Sequence, residues 1–196
     1  DQQIQVEGTI TILPNIILIT PTKGTVGTII TVRGNGYEAN NIIRVEFGTT
    51  RTLQLTQTYA EGSWTTTFTI NTQRYGTTTI IAHGDNLSIK AYGTLTIESN
   101  IILITPIAGT VGRTITIVGN GFGATEKIQI DFGTTKSIAL PTSTAFGSFS
   151  TTFTINIQPC GTTTIKVTGM MTNQVVYGSI TIQPNIVRIT PVSGTV

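Results

Sequence analysis

Short apolar runs alternate with Thr, Ser, Asn and Gln along nearly the whole chain, and no helical period persists for more than a few residues. A period of two sends successive side chains to opposite faces of a strand. After Gly27 the pattern predicts Ile30 and Val32 inward around Thr31; after Gly112 it predicts Ile115 and Ile117 inward around Thr116. The next strand buries Ile43, Val45 and Phe47, or Ile128, Ile130 and Phe132, and turns Arg44, Glu46, Gln129 and Asp131 outward. Leu53 and Leu55 follow, matched by Ile138 and Leu140. Trp64, Phe68 and Ile70 match Phe149, Phe153 and Ile155, with Thr65, Thr67 and Thr69 outside. Ile80 and Ala82 match Ile165 and Val167, and Leu95 and Ile97 match Ile180 and Ile182. With an opening Ile-Ile-Leu-Ile strand this makes seven short strands, the count of an immunoglobulin-like sandwich.

The pairs arise because residues 16–100 recur without a gap as residues 101–185, identical at 43 of 85 positions. A period that long predicts whole domains in tandem. Residues 1–15 align with residues 86–100 and read as the last strand of a preceding repeat. Residues 186–196 align with residues 16–26 and read as the first strand of a following one. The chain thus reads as a mature or excised window on a longer array, or as a subunit whose half-domains neighbours complete. Arg188 falls at the position of Leu18 and Leu103, which predicts that position outward or between domains, with Ile17 and Ile19 in the core. The expected fold is all-β: tandem seven-stranded immunoglobulin-like β-sandwiches stacked end to end. Ile97-Glu-Ser-Asn-Ile101 joins one repeat to the next with no Gly/Ser linker, too little chain for free tumbling.

Composition sharpens this. Thr (42) and Ile (31), both β-branched, supply 73 of the 196 residues. Only 10% of residues are charged, so uncharged polar groups must cover the solvated faces. A net charge of +2 without any Lys/Arg cluster argues against nucleic acid as a partner. No apolar run is long enough to span a bilayer. The single cysteine, Cys160, stands where the first repeat has Tyr75, so no disulfide framework is expected.

The segment Pro21-Thr-Lys-Gly-Thr-Val-Gly-Thr-Ile-Ile-Thr-Val-Arg-Gly-Asn-Gly-Tyr37 and its counterpart Pro106–Phe122 resemble the opening of IPT/TIG domains. The steps Val45-Glu-Phe-Gly48 and Ile130-Asp-Phe-Gly133 extend the resemblance over essentially all of both repeats. IPT/TIG domains are immunoglobulin-like modules found in bacterial surface proteins, receptor ectodomains, some transcription factors and sugar-acting enzymes. The family's DNA-binding members use basic loops that this chain lacks. Thr- and Ile-rich tandem arrays resemble microbial cell-surface, S-layer-like or biofilm-matrix proteins, which implies an extracellular or cell-surface location.

Candidate chemistry is sparse. His83, the only histidine, aligns with Thr168 and is expected at a solvated strand end. Glu46 and Asp131 stand alone on outward positions, whereas glycosidic chemistry needs a carboxylate pair. No active site is expected, and no organic cofactor. Glu38, Asn40 and Asn41 on one loop and Asp85 and Asn86 on another fall at one end of a sandwich. With Glu98 and Glu126 near the junction they are the candidate ligands for Ca2+, which takes about six to eight oxygens. Asn86-Leu87-Ser88 is the only N-glycosylation sequon, making Asn86 the candidate glycan acceptor.

Two functions compete. The first is a structural extracellular repeat segment of a surface layer, fibre or matrix protein, assembling by self-association and by pairing of the terminal strands Ile4–Leu13 and Ile186–Thr190. The second is an adhesin stalk or carbohydrate-binding module acting through the loops near Glu38 and Asp85, with Tyr37, Tyr59 and Tyr75 as its aromatics.

Overall fold

The computed structural model describes residues 8–186, and among them are sixteen strands and no helix. The first repeat forms β1 (Asn15–Thr20), β2 (Lys23–Gly24), β3 (Ile29–Asn35), β4 (Ile42–Phe47), β5 (Thr50–Gln57), β6 (Trp64–Thr69), β7 (Gly76–His83) and β8 (Lys90–Ile97). The second forms β9 (Asn100–Thr105), β10 (Ala108–Gly109), β11 (Thr114–Asn120), β12 (Ile128–Phe132), β13 (Thr135–Ala139), β14 (Phe149–Thr154), β15 (Gly161–Gly169) and β16 (Val175–Ile182).

Each repeat builds two sheets. Strands β1-β3-β6 form the smaller sheet of the first and β2-β8-β7-β4-β5 the larger. Strands β14-β11-β9 and β10-β16-β15-β12-β13 repeat that order in the second. The fold is therefore all-β, a tandem pair of immunoglobulin-like sandwiches. Eight strands appear where seven are expected because the opening strand divides at Pro21 and Pro106, both after cis peptide bonds, and its second half joins the other sheet. By compactness the described residues fall into two units. Unit 1 holds residues up to Gly24, Thr28–Thr69 and Thr77–Thr96; unit 2 holds Thr25–Gly27, Ile70–Gly76 and residues from Ile97 onward.

The inward set from β3, β4, β6, β7 and β8 is buried as the alternation predicts. Ile30, Val32, Ile43, Val45, Ile80, Ala82, Leu95 and Ile97 have no more than traces of exposed surface. So do Ile115, Ile117, Ile128, Ile130, Phe132, Ile165 and Val167 in the second core. Burying one such side chain contributes roughly 1.5–3 kcal/mol against the ordering entropy.

Two strands depart from the pattern. Leu55 and Leu140 are each 51% exposed, and Leu53 and Ile138 only half-buried: Leu55 pairs with the outward Arg44, and Leu140 follows Ala139, the partner of the inward Ile130. Phe47 pairs with Thr50 but Val45 with Gln54, so β5 carries extra residues, with Thr52 at φ 55° absorbing the step. Ser137 at φ 52° does the same in β13. Two extra residues leave the faces of a strand unchanged, whereas a one-residue bulge reverses them. The opening strand carries such a one-residue bulge between Ile16 and Leu18, opposite Gly34 and Arg33. Ile17 is consequently exposed, and Ile16 and Ile19 face the sandwich, both lying where a Cβ on Gly93 would stand. Arg188 lies outside the described residues. Of the terminal segments, residues 8–14 form no strand, Ile186 is exposed outside any strand, and residues 1–7 and 187–196 lie outside the description.

Gly34 lies opposite Trp64 in the β3–β6 ladder, and an added Cβ would stand 2.5 Å from the indole. Gly119 faces Phe149 in the same register. Gly34→Ala should therefore overpack the site and destabilise by about 1–3 kcal/mol. Trp64 is the only tryptophan, so its fluorescence in a urea titration reads the change directly. Trp64→Phe, the residue that the second repeat carries, should cost less than Gly34→Ala.

Candidate functional site: the loop end of each sandwich

In unit 1 the loop after β3 and the turn between β7 and β8 come to the same end, as the strand order requires. One hydroxyl ties the first loop: Thr58 Oγ1 donates to Glu38 O (2.6 Å) and accepts from Asn41 N–H (2.8 Å). Asn41 reaches the second, its Oδ1 accepting from Asp85 N–H at 3.2 Å. Tyr37 closes the floor, its OH donating to Ala82 O at 2.8 Å. Burial pushes the Tyr37 phenol up to about 12, against a smaller opposing effect of a backbone hydrogen bond with Ala91.

These residues enclose a cavity of about 450 Å³. Glu38, Asn41, Asp85 and Asn86 supply its polar wall; Ile12, Leu13, Pro14 and Ile89 supply an apolar one beside Tyr37. Two carboxyl groups and no cationic side chain line it, so it disfavours anions and offers acceptors to hydroxyl or ammonium groups. Asn86 is exposed on the turn, its Oδ1 accepting from Ser88 N–H at 3.0 Å. Asn40 is exposed at φ 56°, outside the cavity lining, with its carbonyl taken by Gln57 Nε2 at 3.2 Å.

Unit 2 uses the same clamp with different chemistry. Ser143, the counterpart of Thr58, donates to Gly123 O (2.7 Å) and accepts from Glu126 N–H (2.9 Å). Glu126, the counterpart of Asn41, is completely buried. Its carboxyl oxygens accept from Gly123 N–H (2.5 Å), Met171 N–H (3.0 Å), Thr172 N–H (3.0 Å) and the Thr172 hydroxyl (3.0 Å). Four donors converge on one carboxyl group, the arrangement that satisfies a buried acceptor. Glu98, half-buried, precedes Ser99, whose hydroxyl donates to Gly121 O at 2.5 Å. Among the described residues, no group of three or more His, Cys, Asp or Glu is placed to hold a metal ion.

The outer faces of the larger sheets hold two corrections. His83 is buried, not solvated: its Nε2 lies 3.2 Å from Glu46 Oε1 and its Nδ1 lies 3.1 Å from Gly84 O. Asp131 is buried too, accepting from Gln129 Nε2 (2.8 Å), Ser137 N–H (3.0 Å) and Lys136 Nζ (3.4 Å). Glu46 beside His83, and Gln129 and Lys136 beside Asp131, give polar partners to positions that alternation alone assigns to solvent. Burial pushes the Asp131 carboxyl up, but the hydrogen bonds and the Lys136 charge outweigh it and hold the group below its ordinary value.

Sequence reasoning missed the Thr58/Ser143 clamp, although a hydroxyl at matched positions of both repeats was its visible signal. It also missed Tyr92 and Tyr177, matched and exposed at 61% and 67%; Tyr37, whose alignment with Phe122 predicts packing, lies edge-on against Trp64. Tyr59 is exposed and Tyr75 half-buried.

Glu126→Ala should strand three backbone N–H groups and cost roughly 2–4 kcal/mol, whereas Asn41→Ala should cost about 1 kcal/mol, both read by chemical denaturation. Because the folded-state pKa of Asp131 is depressed, its contribution is complete above the unfolded value, about 3.9, and is lost as pH falls through the lower folded value. Asp131→Asn should flatten the acid limb of the stability curve over that window; an unchanged limb would remove Asp131 from the account.

No family model matches the chain, and no curated protein matches it. Among solved structures, the adhesin InvE of Yersinia pseudotuberculosis aligns at 12% identity and a TM-score of 0.38, over 87% of this chain and 59% of that one. SGBP-B of the Bacteroides ovatus mixed-linkage glucan utilization locus, in complex with a mixed-linkage heptasaccharide, aligns at 16% and 0.36, over 84% and 44%. The BSP domain of a biofilm-associated protein aligns at 14% and 0.31, over 87% and 29%. The chain thus spans 29–59% of the lengths of these three structures. At these values the likeness is one of β-rich architecture and carries no statement about ligand or partner.

Proposed function

We propose that this chain is a structural, non-catalytic repeat segment of an extracellular microbial surface-layer, fibre or matrix protein, built from modules of the IPT/TIG kind. One observation carries the reading. In unit 2 the short strand β10 runs parallel to β16, with Ala108 opposite Thr181 and Gly109 opposite Ile182. Thr181 N–H donates to Ile107 O (3.0 Å) and Gln183 N–H to Gly109 O (2.9 Å). The chain enters a sandwich beside the short strand and leaves from the last one. Tension on the two ends therefore shears a parallel ladder and loads its bonds together. Unit 1 has the same contact, Thr96 N–H donating to Thr22 O at 3.0 Å.

The link between repeats supports the same reading. Only Glu98 and Ser99 separate β8 from β9, and neither is glycine. So short a link suits an array that passes load from one repeat to the next. The threonine faces, exposed at Thr65, Thr67 and Thr69, are neutral and offer neither charge nor nucleophile in a catalytic arrangement. Small-angle scattering of the intact chain should give a persistent elongated particle; a distribution expected for two freely swivelling beads would sink the proposal. Electron micrographs of material lacking residues 186–196 should show assembly lost if end strands pair between subunits, and unchanged assembly would remove strand pairing.

A second reading is favoured by the cavity. Carboxyl and amide oxygens beside a tyrosine and aliphatic wall suit the hydroxyls and C–H faces of a neutral oligosaccharide. Calorimetric titration with neutral oligosaccharides should then give binding that Asp85→Ala weakens about tenfold or more, as expected for loss of a charged acceptor. Absence of heat across a broad panel would dispose of it.

A further inference from the structure

The segment Ile70–Gly76 belongs to unit 2, and there it sits on the loop after β11. Tyr75 N–H donates to Phe122 O at 2.8 Å, and a Cβ on Gly147 would stand 2.8 Å from Arg74 Cα. The receiving face is built from Gly121 (φ 73°), Phe122 and Gly147 (φ 73°), with Phe122 N–H donating to Gly147 O at 3.0 Å. Glycine matters here: Gly147 lies too close to the incoming backbone for any side chain.

Unit 1 presents the same face. Gly36 (φ 82°), Tyr37 and Gly62 (φ 71°) take the corresponding conformations, and Tyr37 N–H donates to Gly62 O at 3.2 Å. Gly36 and Tyr37 also line the cavity. The turn, too, exists twice. Ile155–Gly161 keeps the Ile, Asn, Gln and Gly of Ile70–Gly76. Gln158 Nε2 donates to Asn156 Oδ1 at 2.9 Å, as Gln73 Nε2 does to Asn71 Oδ1 at 2.9 Å, and Gly161 (φ 113°) matches Gly76 (φ 108°). The two copies of the turn differ in cover. Gln73 is buried and Tyr75 half-buried, whereas Gln158 is half-buried, Cys160 exposed and Ile157 89% exposed.

We propose that the turn Ile155–Gly161 of one copy docks on the Gly36–Tyr37–Gly62 face of a second copy of this chain, with Cys160 N–H donating to Tyr37 O. This names the partner surface of the structural array and rests on that reading. The contact is heterologous, turn to face, so each copy keeps one of each free and the assembly is an open head-to-tail chain. The turn holds no charged residue, so the association should be nearly independent of salt.

Sedimentation velocity on the intact chain, from micromolar to millimolar concentration, tests this. Head-to-tail oligomers should grow with concentration. Cys160→Pro, which removes the donor N–H at an exposed position, should weaken the step about five- to tenfold. The double change Pro159→Arg with Cys160→Tyr restores two of the three residues by which the covered turn differs and sets a guanidinium beside the acidic loops of Glu38 and Glu61. It should tighten association about threefold or more and add a salt dependence that the native chain lacks. A chain monomeric at every concentration overturns the docking, as does an association that neither variant moves. A monomer that still scatters as a persistent rod would leave the array reading standing without this contact, whereas swivelling beads would remove the array reading itself.

Discussion

An aromatic ring lying against a glycine fixes the loop end of each sandwich. Trp64 covers Gly34 across the β3–β6 ladder, and Phe149 covers Gly119 across β11–β14. No larger residue fits beneath the ring, so ring and strand are held in one register. From there the packing extends outward: Tyr37 meets Trp64 edge-on with centroids 6.4 Å apart, and Phe122 meets Phe149 at 5.4 Å. The loops that follow Gly36 and Gly121 are therefore anchored on core aromatics, although they lie at the surface. Their glycines at positive φ then shape a backbone face that side chains would otherwise fill.

On that common frame the two repeats have diverged at the loop end. A hydroxyl from the residue after β5, or its counterpart Ser143, bridges the loop in both. The residue it supports is Asn41 in one and Glu126 in the other. Asn41 holds the neighbouring turn by a single hydrogen bond and leaves a cavity; Glu126 gathers four donors and pins Met171 and Thr172 against its loop. A duplicated scaffold thus supports one end with a cavity and one end pinned by a buried carboxyl group, around cores that keep the same inward positions.

How far this was legible in the sequence depends on the kind of physics involved. Inward faces of β3, β4 and β6 to β8 follow from alternation because two copies constrain each strand to the same answer. Alternation fails where a bulge intervenes, as at Ile17, and where an apolar run pairs with an outward face, as at Leu55 and Leu140, since hydrophobicity carries no record of register. It fails again at His83 and Asp131, where cover comes from polar neighbours and not from the sheet's apolar side. The meeting of Glu38 with Asp85 was readable from topology alone, because those loops must share an end. The role of Glu126 was not, since its donors are backbone groups that any sequence possesses.

In the proposed array these sandwiches resist force through the short strands β2 and β10, each seated beside the last strand of its repeat, β8 and β16. Pulling a single chain by its two ends measures that directly. Two separate unfolding events are expected, each releasing chain from about 85 residues, on the order of 300 Å when extended. Each event should require a sharp force peak, as a sheared parallel ladder must break cooperatively. Gradual lengthening without peaks would contradict the account.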